Sequence, residues 1–229
     1  MGSDGVVALL PMRANSQRVV NKNLRPLASR PLFEWILDSL RGSEIFSRII
    51  VDTDSDLLAA ASRSSFPDVE IAMRPKHLGD HRASMNDVIS NRLPDIDEEH
   101  IFQFHATSPL MSKETLKSVV KYYLDHLAEF DSVFGVDRIQ ARFWSSSLEP
   151  INHQPEKLIP TQDLKPLFLE NSAFYGFSRT SFAATGQRIR LNPSMFPVPR
   201  EESLDIDVEE DFKLAEILML NREGLHNKI

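Results

Sequence analysis

Cysteine is missing from all 229 residues of this chain, which excludes disulfides, thiolate metal sites and cysteine nucleophiles together. Glycine is scarce, with eight in all and none between Gly5 and Gly42. Neither Gly-x-x-x-x-Gly-Lys-Ser/Thr nor Gly-x-Gly-x-x-Gly occurs there, which favours side-chain clamping of a phosphate over tight backbone cradling. No apolar run approaches the roughly 20 residues that span a membrane. The N-terminus lacks a basic segment followed by an apolar core of signal-peptide length, so the chain is expected in the cytoplasm, with no membrane partner. There is no basic tail and the formal net charge is −7, which argues against nucleic acid as a partner. Internal repeats and low-complexity tracts are also absent.

What is present suits a folded enzyme. With 41% hydrophobic residues the chain can bury a real core, most simply as one domain over residues 1–229. Strands are read at Val6–Leu10, Arg48–Asp52, Val69–Met73, Ile101–His105, Asp131–Val136 and Ala173–Ser178. Helical patterns fall at about Pro31–Arg41, Ser55–Ser64, Ser84–Leu93, Lys113–Phe130 and Val208–Asn221. This alternation predicts an α/β fold, a doubly wound, mostly parallel sheet with helices on both faces. Cover on both faces also explains why Ile49-Ile50-Val51 is continuous rather than alternating. Residues 138–170 break the rhythm, with Pro150, Pro155, Pro160 and Pro166 among Phe143, Trp144, Ile151, Leu158, Leu164 and Phe168. So long an apolar, poorly periodic stretch is expected to be a lid or an arm that packs on something else.

The chemistry starts near the N-terminus. The apolar run Val6-Val7-Ala8 feeds a polar, basic loop, and Pro31 then opens an amphipathic stretch carrying Leu32, Phe33, Trp35, Ile36, Leu37 and Leu40. A loop of this kind leaves the carboxyl end of a strand, where open α/β sheets bind ligands. Arg13, Arg18, Lys22 and Arg25 place four cations in thirteen residues, against the charge balance of the whole chain. A polyanion is their natural partner, the alternative being a solvated basic loop.

These residues also carry a resemblance. Arg13-x-x-Ser16-(x)5-Lys22-Asn23-(x)2-Pro26-Leu27-(x)3-Pro31-Leu32 resembles the signature of the acylneuraminate cytidylyltransferases, the CMP-sialic acid synthetase family, and more loosely that of the CMP-Kdo synthetases. Further pieces follow in family order: Arg48 to Ser55, Arg74-Pro75 with Leu78 and Ser84, and Ala106-Thr107-Ser108-Pro109-Leu110 where the family has PTSPL. Asn171-Ser172-Ala173-Phe174-Tyr175 stands for NGAIY and Ser203-Leu204-Asp205-Ile206-Asp207 for SIDID. The resemblance implies a Rossmann-like nucleotidyltransferase with a protruding dimerisation arm at residues 138–170, and a homodimer. It implies CTP as nucleotide and an acidic sugar as acceptor, with Pro11, Met12, Arg13, Ser16, Lys22, Asn23, Arg74 and Ser84 around the nucleotide. Arg13 and Lys22 would hold the triphosphate during catalysis. His105, Gln162 and Tyr175 would face the sugar, and Asp205 and Asp207 would bind Mg²⁺ or Mn²⁺.

Each of these has a plainer alternative. Asp205 and Asp207 are two residues apart, so in an extended backbone they point to one side and can converge on an ion that prefers hard oxygen ligands. Asp207 with Glu210 three residues on is equally a helix N-cap with its capping-box partner, and a residue can cap while ligating. Asp52-Thr53-Asp54 is a rival metal pair, resembling motifs of some glycosyltransferases and of haloacid-dehalogenase-type phosphatases. Asp54 or Ser55 capping the next helix is the reading preferred for it. His105 ends a strand in the expected crevice where the sialic-acid enzymes commonly carry glutamine, and is either a substrate contact or a buried histidine. No histidine shows zinc spacing with a third ligand; His77 and His81 read as surface or loop-ordering residues.

The departures gather on the sugar side. Met111 stands where the family usually has arginine and Thr161-Gln162 where it often has Arg-Gln, which thins out the cations expected near a sugar carboxylate; Lys165 and Arg142 are the candidate substitutes. On the nucleotide side Arg18 replaces a common glycine and Met12 a common alanine. Nucleotidyl transfer from CTP to a nonulosonic acid is the function implied. The alternatives are a metal-dependent glycosyltransferase-like protein or a nucleotide-binding protein without catalysis.

Overall fold

The computed structural model of the chain describes residues 3–14, 18–80 and 82–226. The chain runs β1 (Ser3–Met12), the short ribbon β2 (Pro26–Leu27) and β3 (Arg30–Pro31), α1 (Leu32–Ser43), β4 (Arg48–Thr53), α2 (Asp56–Ser65) and β5 (Glu70–Met73). Then follow α3 (Met85–Arg92), β6 (Glu98–Phe104), α4 (Lys113–Asp125), β7 (Ser132–Ile139), β8 (Leu167–Ser178), α5 (Arg179–Thr185), β9 (Pro193–Pro197) and α6 (Glu209–His226). Seven strands form one sheet in the order β5-β4-β1-β6-β8-β7-β9. Only β8 runs antiparallel to its neighbours, so the expected mostly parallel sheet is observed.

The residue alternation of β1 shows why both faces are covered. Val6, Ala8, Leu10 and Met12 pack on one face with Phe33, Ile36, Leu37 and Leu40 of α1 and Leu116, Val119 and Val120 of α4. Val7 and Leu9 point the other way, against Ile89 of α3 and Phe182 of α5. Burying a side chain of this size stabilises by about 1.5–3 kcal/mol, so each β1 residue serves one core or the other. Along one edge α6 adds a third cluster, in which Phe212, Ala215 and Met219 meet Leu27, Leu32, Trp35 and Ile206.

Four elements lie outside the pattern expected from sequence, the two-residue strands β2 and β3, the edge strand β9 and the short helix α5. β9, with prolines at both ends and exposed alternate residues, pairs only with β7 at the sheet edge, the position where proline is tolerated in a sheet. α5 spans seven residues, too short for helical periodicity to register. The proline-rich segment is also narrower than its sequence outline. Residues 138–139 close β7, residues 167–170 open β8, and the two pair directly, with Arg138 opposite Phe168 and Ile139 opposite Leu167. Between them the chain is held by bridges at Trp144–Pro150 and Gln154–Lys157 and by the Gln140 side chain, which donates to the carbonyls of Thr161 (3.0 Å) and Leu164 (2.6 Å).

Candidate active site

The carboxyl ends of β1, β5 and β6 open into a cavity of about 310 Å³. Its wall includes Pro11, Met12, Arg13, Arg18, Lys22, Asn23, Arg74, His105, Thr107, Ser172, Asp205 and Asp207. This is the crest of the parallel strands, where such sheets bind ligands.

The basic loop is fastened at several points. Asn23 is buried and its Nδ2 donates to the Arg13 carbonyl (3.3 Å), while the Ala14 amide donates to Asp54 (2.8 Å). Asp54 in turn lies so close to Gly79 that a Cβ there would sit 2.2 Å from its carboxylate, so only glycine permits this approach. Arg25 is spent at the loop's far end, making a bidentate pair with Glu209 (2.6 and 2.7 Å) and lying 4.0 Å over the Phe212 ring. Of the four loop cations, Arg13, Arg18 and Lys22 therefore face the cavity, and Arg25 docks α6. Arg13 forms no ion pair with the described residues and its side chain is open to solvent. Ser16 lies outside the described residues.

Opposite stands the acidic segment. The Ile206 amide donates to the Thr107 carbonyl (2.9 Å), and Lys22 Nζ donates to the Ile206 carbonyl. These two bonds hold Asp205 and Asp207 against the loop. Burial pushes the Lys22 ammonium below its usual range, partly offset by Asp205 and Asp207. Burial pushes the Asp205 carboxyl up, opposed by a hydrogen bond from Thr107 and reinforced by Asp207. One carboxylate oxygen of Asp205, Oδ1, is buried with no hydrogen-bond partner. Asp207 pairs with Arg18 (2.7 Å) at the solvent edge. The capping role is taken by another residue: Asp211 accepts from the amides of both Asp207 and Val208 (2.9 Å each), so the expected Asp207–Glu210 box does not form. An orphaned carboxylate oxygen beside a second carboxylate fits a hard divalent cation. Among the described residues no cluster of three metal-ligating side chains occurs, so phosphate oxygens and water would complete the shell, as is common for Mg²⁺.

The rival acidic pair has other work. Asp52 is fully buried and holds two guanidinium groups, Arg74 Nε on one oxygen and Arg92 Nε (2.9 Å) on the other. The Arg74 NH2 group also donates to the Asp52 carbonyl (2.6 Å). Arg74 thus borders the cavity as part of a fixed ion cluster rather than as a mobile clamp. Ser55 caps α2, accepting from Leu58 (3.2 Å).

Other expected site residues divide. Ser84 caps α3 in a reciprocal box with Asp87 and is not on the cavity wall, although its neighbours Ala83 and Met85 are. Tyr175 is buried one layer behind the wall, its hydroxyl donating to Glu170 and lying 3.3 Å from Ser172 Oγ. Gln162 and Lys165 are exposed on the proline-rich segment, and Arg142 is tied there to the Ile159 carbonyl (2.6 Å); none of the three lines the cavity. His77 is exposed and His81 lies outside the described residues. His105 does line the cavity, and its Nε2 is buried without a partner. Burial, reinforced by Arg188 and Lys22, holds its pKa down to about 4, so the ring is neutral near pH 7. Sequence reading missed Arg188, which follows α5 and carries no motif. It also gave Ser172 no role; that residue lines the cavity at φ 58°, a conformation suited to the glycine of NGAIY.

A protein-family model described as cytidylyltransferase matches residues 7–227. The pseudaminic acid cytidylyltransferase of Campylobacter jejuni is 24% identical over 228 residues, covering 93% of this chain and 95% of that protein. The CMP-N,N'-diacetyllegionaminic acid synthase of Legionella pneumophila is 27% identical over 237 residues, covering 96% and 99%. Among solved structures, a CMP:2-keto-3-deoxy-manno-octonic acid synthetase complexed with CTP superposes with a TM-score of 0.71 at 14% identity, over 95% of this chain and 99% of that one. At that identity the likeness is one of fold.

Proposed function

Because this chain belongs to the cytidylyltransferase family, we propose that it activates a nonulosonic acid with CTP, giving the CMP-sugar and pyrophosphate. The observation that carries this reading is the cavity itself, where four cations, Arg13, Arg18, Lys22 and Arg74, meet the carboxylates of Asp80, Asp205 and Asp207 at the crest of the parallel strands. The relatives named for pseudaminic and legionaminic acid support the class of acceptor.

In the proposed reaction the acceptor's anomeric hydroxyl attacks the α-phosphorus of CTP. A bond from the sugar oxygen to phosphorus forms, the bond to the β-phosphate oxygen breaks, and the hydroxyl proton is released to solvent. Little covalent chemistry is asked of the protein, which aligns the reactants and neutralises charge on the phosphates. Arg13 is open to solvent and forms no ion pair among the described residues, which leaves it free to swing onto the triphosphate. Lys22 is held in place by the Ile206 carbonyl, so its charge is preorganised. Arg18 neutralises Asp207 until a phosphate competes for it. Asn23 and Asp54 fix the loop backbone at Arg13 and Ala14. Asp205 and Asp207 would hold Mg²⁺ or Mn²⁺, which when bound supplies charge neutralisation and alignment at the phosphate oxygens. The glycosyltransferase-like alternative loses its metal motif, since Asp52 is saturated by Arg74 and Arg92.

We extend the proposal to a homodimer in the cytoplasm. The proline-rich segment exposes Trp144, Ile151 and Leu158, and Phe168 and Leu169 at its base, apolar surface that a second copy would cover. Light scattering at low micromolar concentration is expected to give about twice the 26.1 kDa chain mass; a monomer overturns the dimer. The reaction itself is tested by mass spectrometry of products from CTP and pseudaminic, N,N'-diacetyllegionaminic or N-acetylneuraminic acid. A CMP-sugar is expected, and its absence with all three contradicts the proposal.

A further inference from the structure

Behind the cavity wall lies a half-buried cation that the reaction scheme does not use. Arg188 has no carboxylate within ion-pair distance among the described residues. Its guanidinium donates to Gln103 Oε1 (2.5 Å) and lies 4.0 Å from the centre of the Tyr175 ring. The nearest acid, Glu170, accepts the Tyr175 hydroxyl instead. Burial lowers the Arg188 pKa, opposed by Tyr175 and Glu170.

Gln103 is the penultimate residue of β6 and His105 directly follows the strand, two residues on, the spacing that puts extended-chain side chains on one side. The His105 ring is 6.3 Å from that of Tyr175, and its Nε2 is buried, unpartnered and on the cavity wall. Each of these is costly alone: a buried polar nitrogen without a partner, and a partly desolvated cation without a counter-charge. An anion at His105 relieves both. Met111, at the position where the family usually has arginine, carries no charge and is fully buried in the core on the other face of the sheet. Gln162, Lys165 and Arg142 are held on the proline-rich segment.

We propose that His105 and Arg188 form the acid-reading subsite for the acceptor: the sugar carboxylate accepts a hydrogen bond from His105 Nε2, and Arg188 supplies the opposing charge behind it. This rests on the proposed nonulosonic-acid reaction and assigns the acid group its place. Arg188 is then a specificity-determining residue acting through His105.

The test uses whichever of the three acids the wild type turns over fastest, together with the C1 carboxamide of the same sugar. A charge-assisted contact is worth about 1.5–3 kcal/mol, or roughly 10- to 150-fold. Arg188→Met is expected to raise KM for the acid by a factor in that range, leave KM for CTP unchanged, and shrink the preference for acid over carboxamide by a similar factor. Arg188→Lys should keep part of the preference. If Arg188→Met does not fold, His105→Leu, which leaves the cation in place, reads the same preference. A folded Arg188→Met or His105→Leu with the wild-type preference overturns the subsite, as does an equal rise in KM for CTP, which would place the cation's effect on the nucleotide. A wild type inactive with every acid overturns the reaction instead, so the two failures are distinguishable.

Discussion

Asp205→Asn is the substitution in which structural and catalytic roles predict opposite results. The Asp205 carboxylate is largely desolvated, one oxygen lacks any partner, and Asp207 and Asp211 add like charge while Lys22 and Thr107 oppose it. Its pKa is raised in the fold, so the stability it contributes is present at pH below its unfolded value and lost as pH rises through the folded one. Near pH 7, without metal, the ionised group is a net cost. Asparagine keeps the shape and the Thr107 contact but removes that charge. Stability is therefore expected to stay level or rise by about 1 kcal/mol, a typical gain on removing an unpaired buried group. For a chain of this size that is roughly 2–4 °C in Tm. Turnover moves the other way: losing one preorganised charge contact at a phosphoryl centre costs roughly 100- to 1,000-fold. The extra thermal protection by Mg²⁺ with CTP should disappear as well. Differential scanning fluorimetry with and without Mg²⁺ and CTP, beside pyrophosphate release, reads all three. A variant that loses more than about 2 kcal/mol, the upper range for loss of a helix cap, yet turns over normally per folded molecule would show that Asp205 braces the loop and holds no metal.

The buried cluster predicts a different phenotype: Asp52→Asn strands Arg74 and Arg92 and should cost about 3–5 kcal/mol in urea unfolding, with an unchanged metal requirement at low temperature; a metal requirement shifted without loss of stability would return the rival metal pair to contention. Ser172→Gly should raise stability by about 1 kcal/mol by relieving the left-handed backbone, and a lower urea midpoint would refute the strain. His105→Gln should flatten the acid limb of stability. With a folded pKa of about 4 against about 6.5 unfolded, the unfolded chain binds the proton first. The wild type then loses on the order of 2–3 kcal/mol between pH 6.5 and pH 4 that the variant keeps; parallel pH profiles would contradict the burial of the ring.

The parts of the fold written in long periodic segments were legible in sequence. β1, β4 and β6 and the helices α1, α2 and α4 carry enough apolar repeats to set their own faces, and the cationic loop after β1 stands out by charge alone. What escaped notice is set by tertiary context. β9 owes its existence to pairing with β7, and β8 begins inside a proline-rich stretch because Leu167 finds Ile139. The antiparallel direction of β8 is a property of the connection, not of its residues. At the site, sequence could name Arg74 as basic but not reveal that Asp52 binds it; two acids of like composition, Asp52 and Asp205, differ only in whether guanidinium groups reach them. Arg188 was unreadable for the same reason, since its meaning comes from the Gln103 and Tyr175 side chains it meets and from the lack of a carboxylate partner among the described residues. Ser172 had a local clue, a non-glycine where the family motif has glycine, and its φ of 58° is the physical content of that clue.

Cytidylyl transfer to a nonulosonic acid is tested by pyrophosphate release over a matrix of CTP, UTP, ATP and GTP against pseudaminic, N,N'-diacetyllegionaminic and N-acetylneuraminic acid, each with and without Mg²⁺. Release is expected only when CTP, one of the acids and the divalent cation are present together. Release that is independent of the acid, or turnover of a nucleotide-sugar with no pyrophosphate formed, would contradict it.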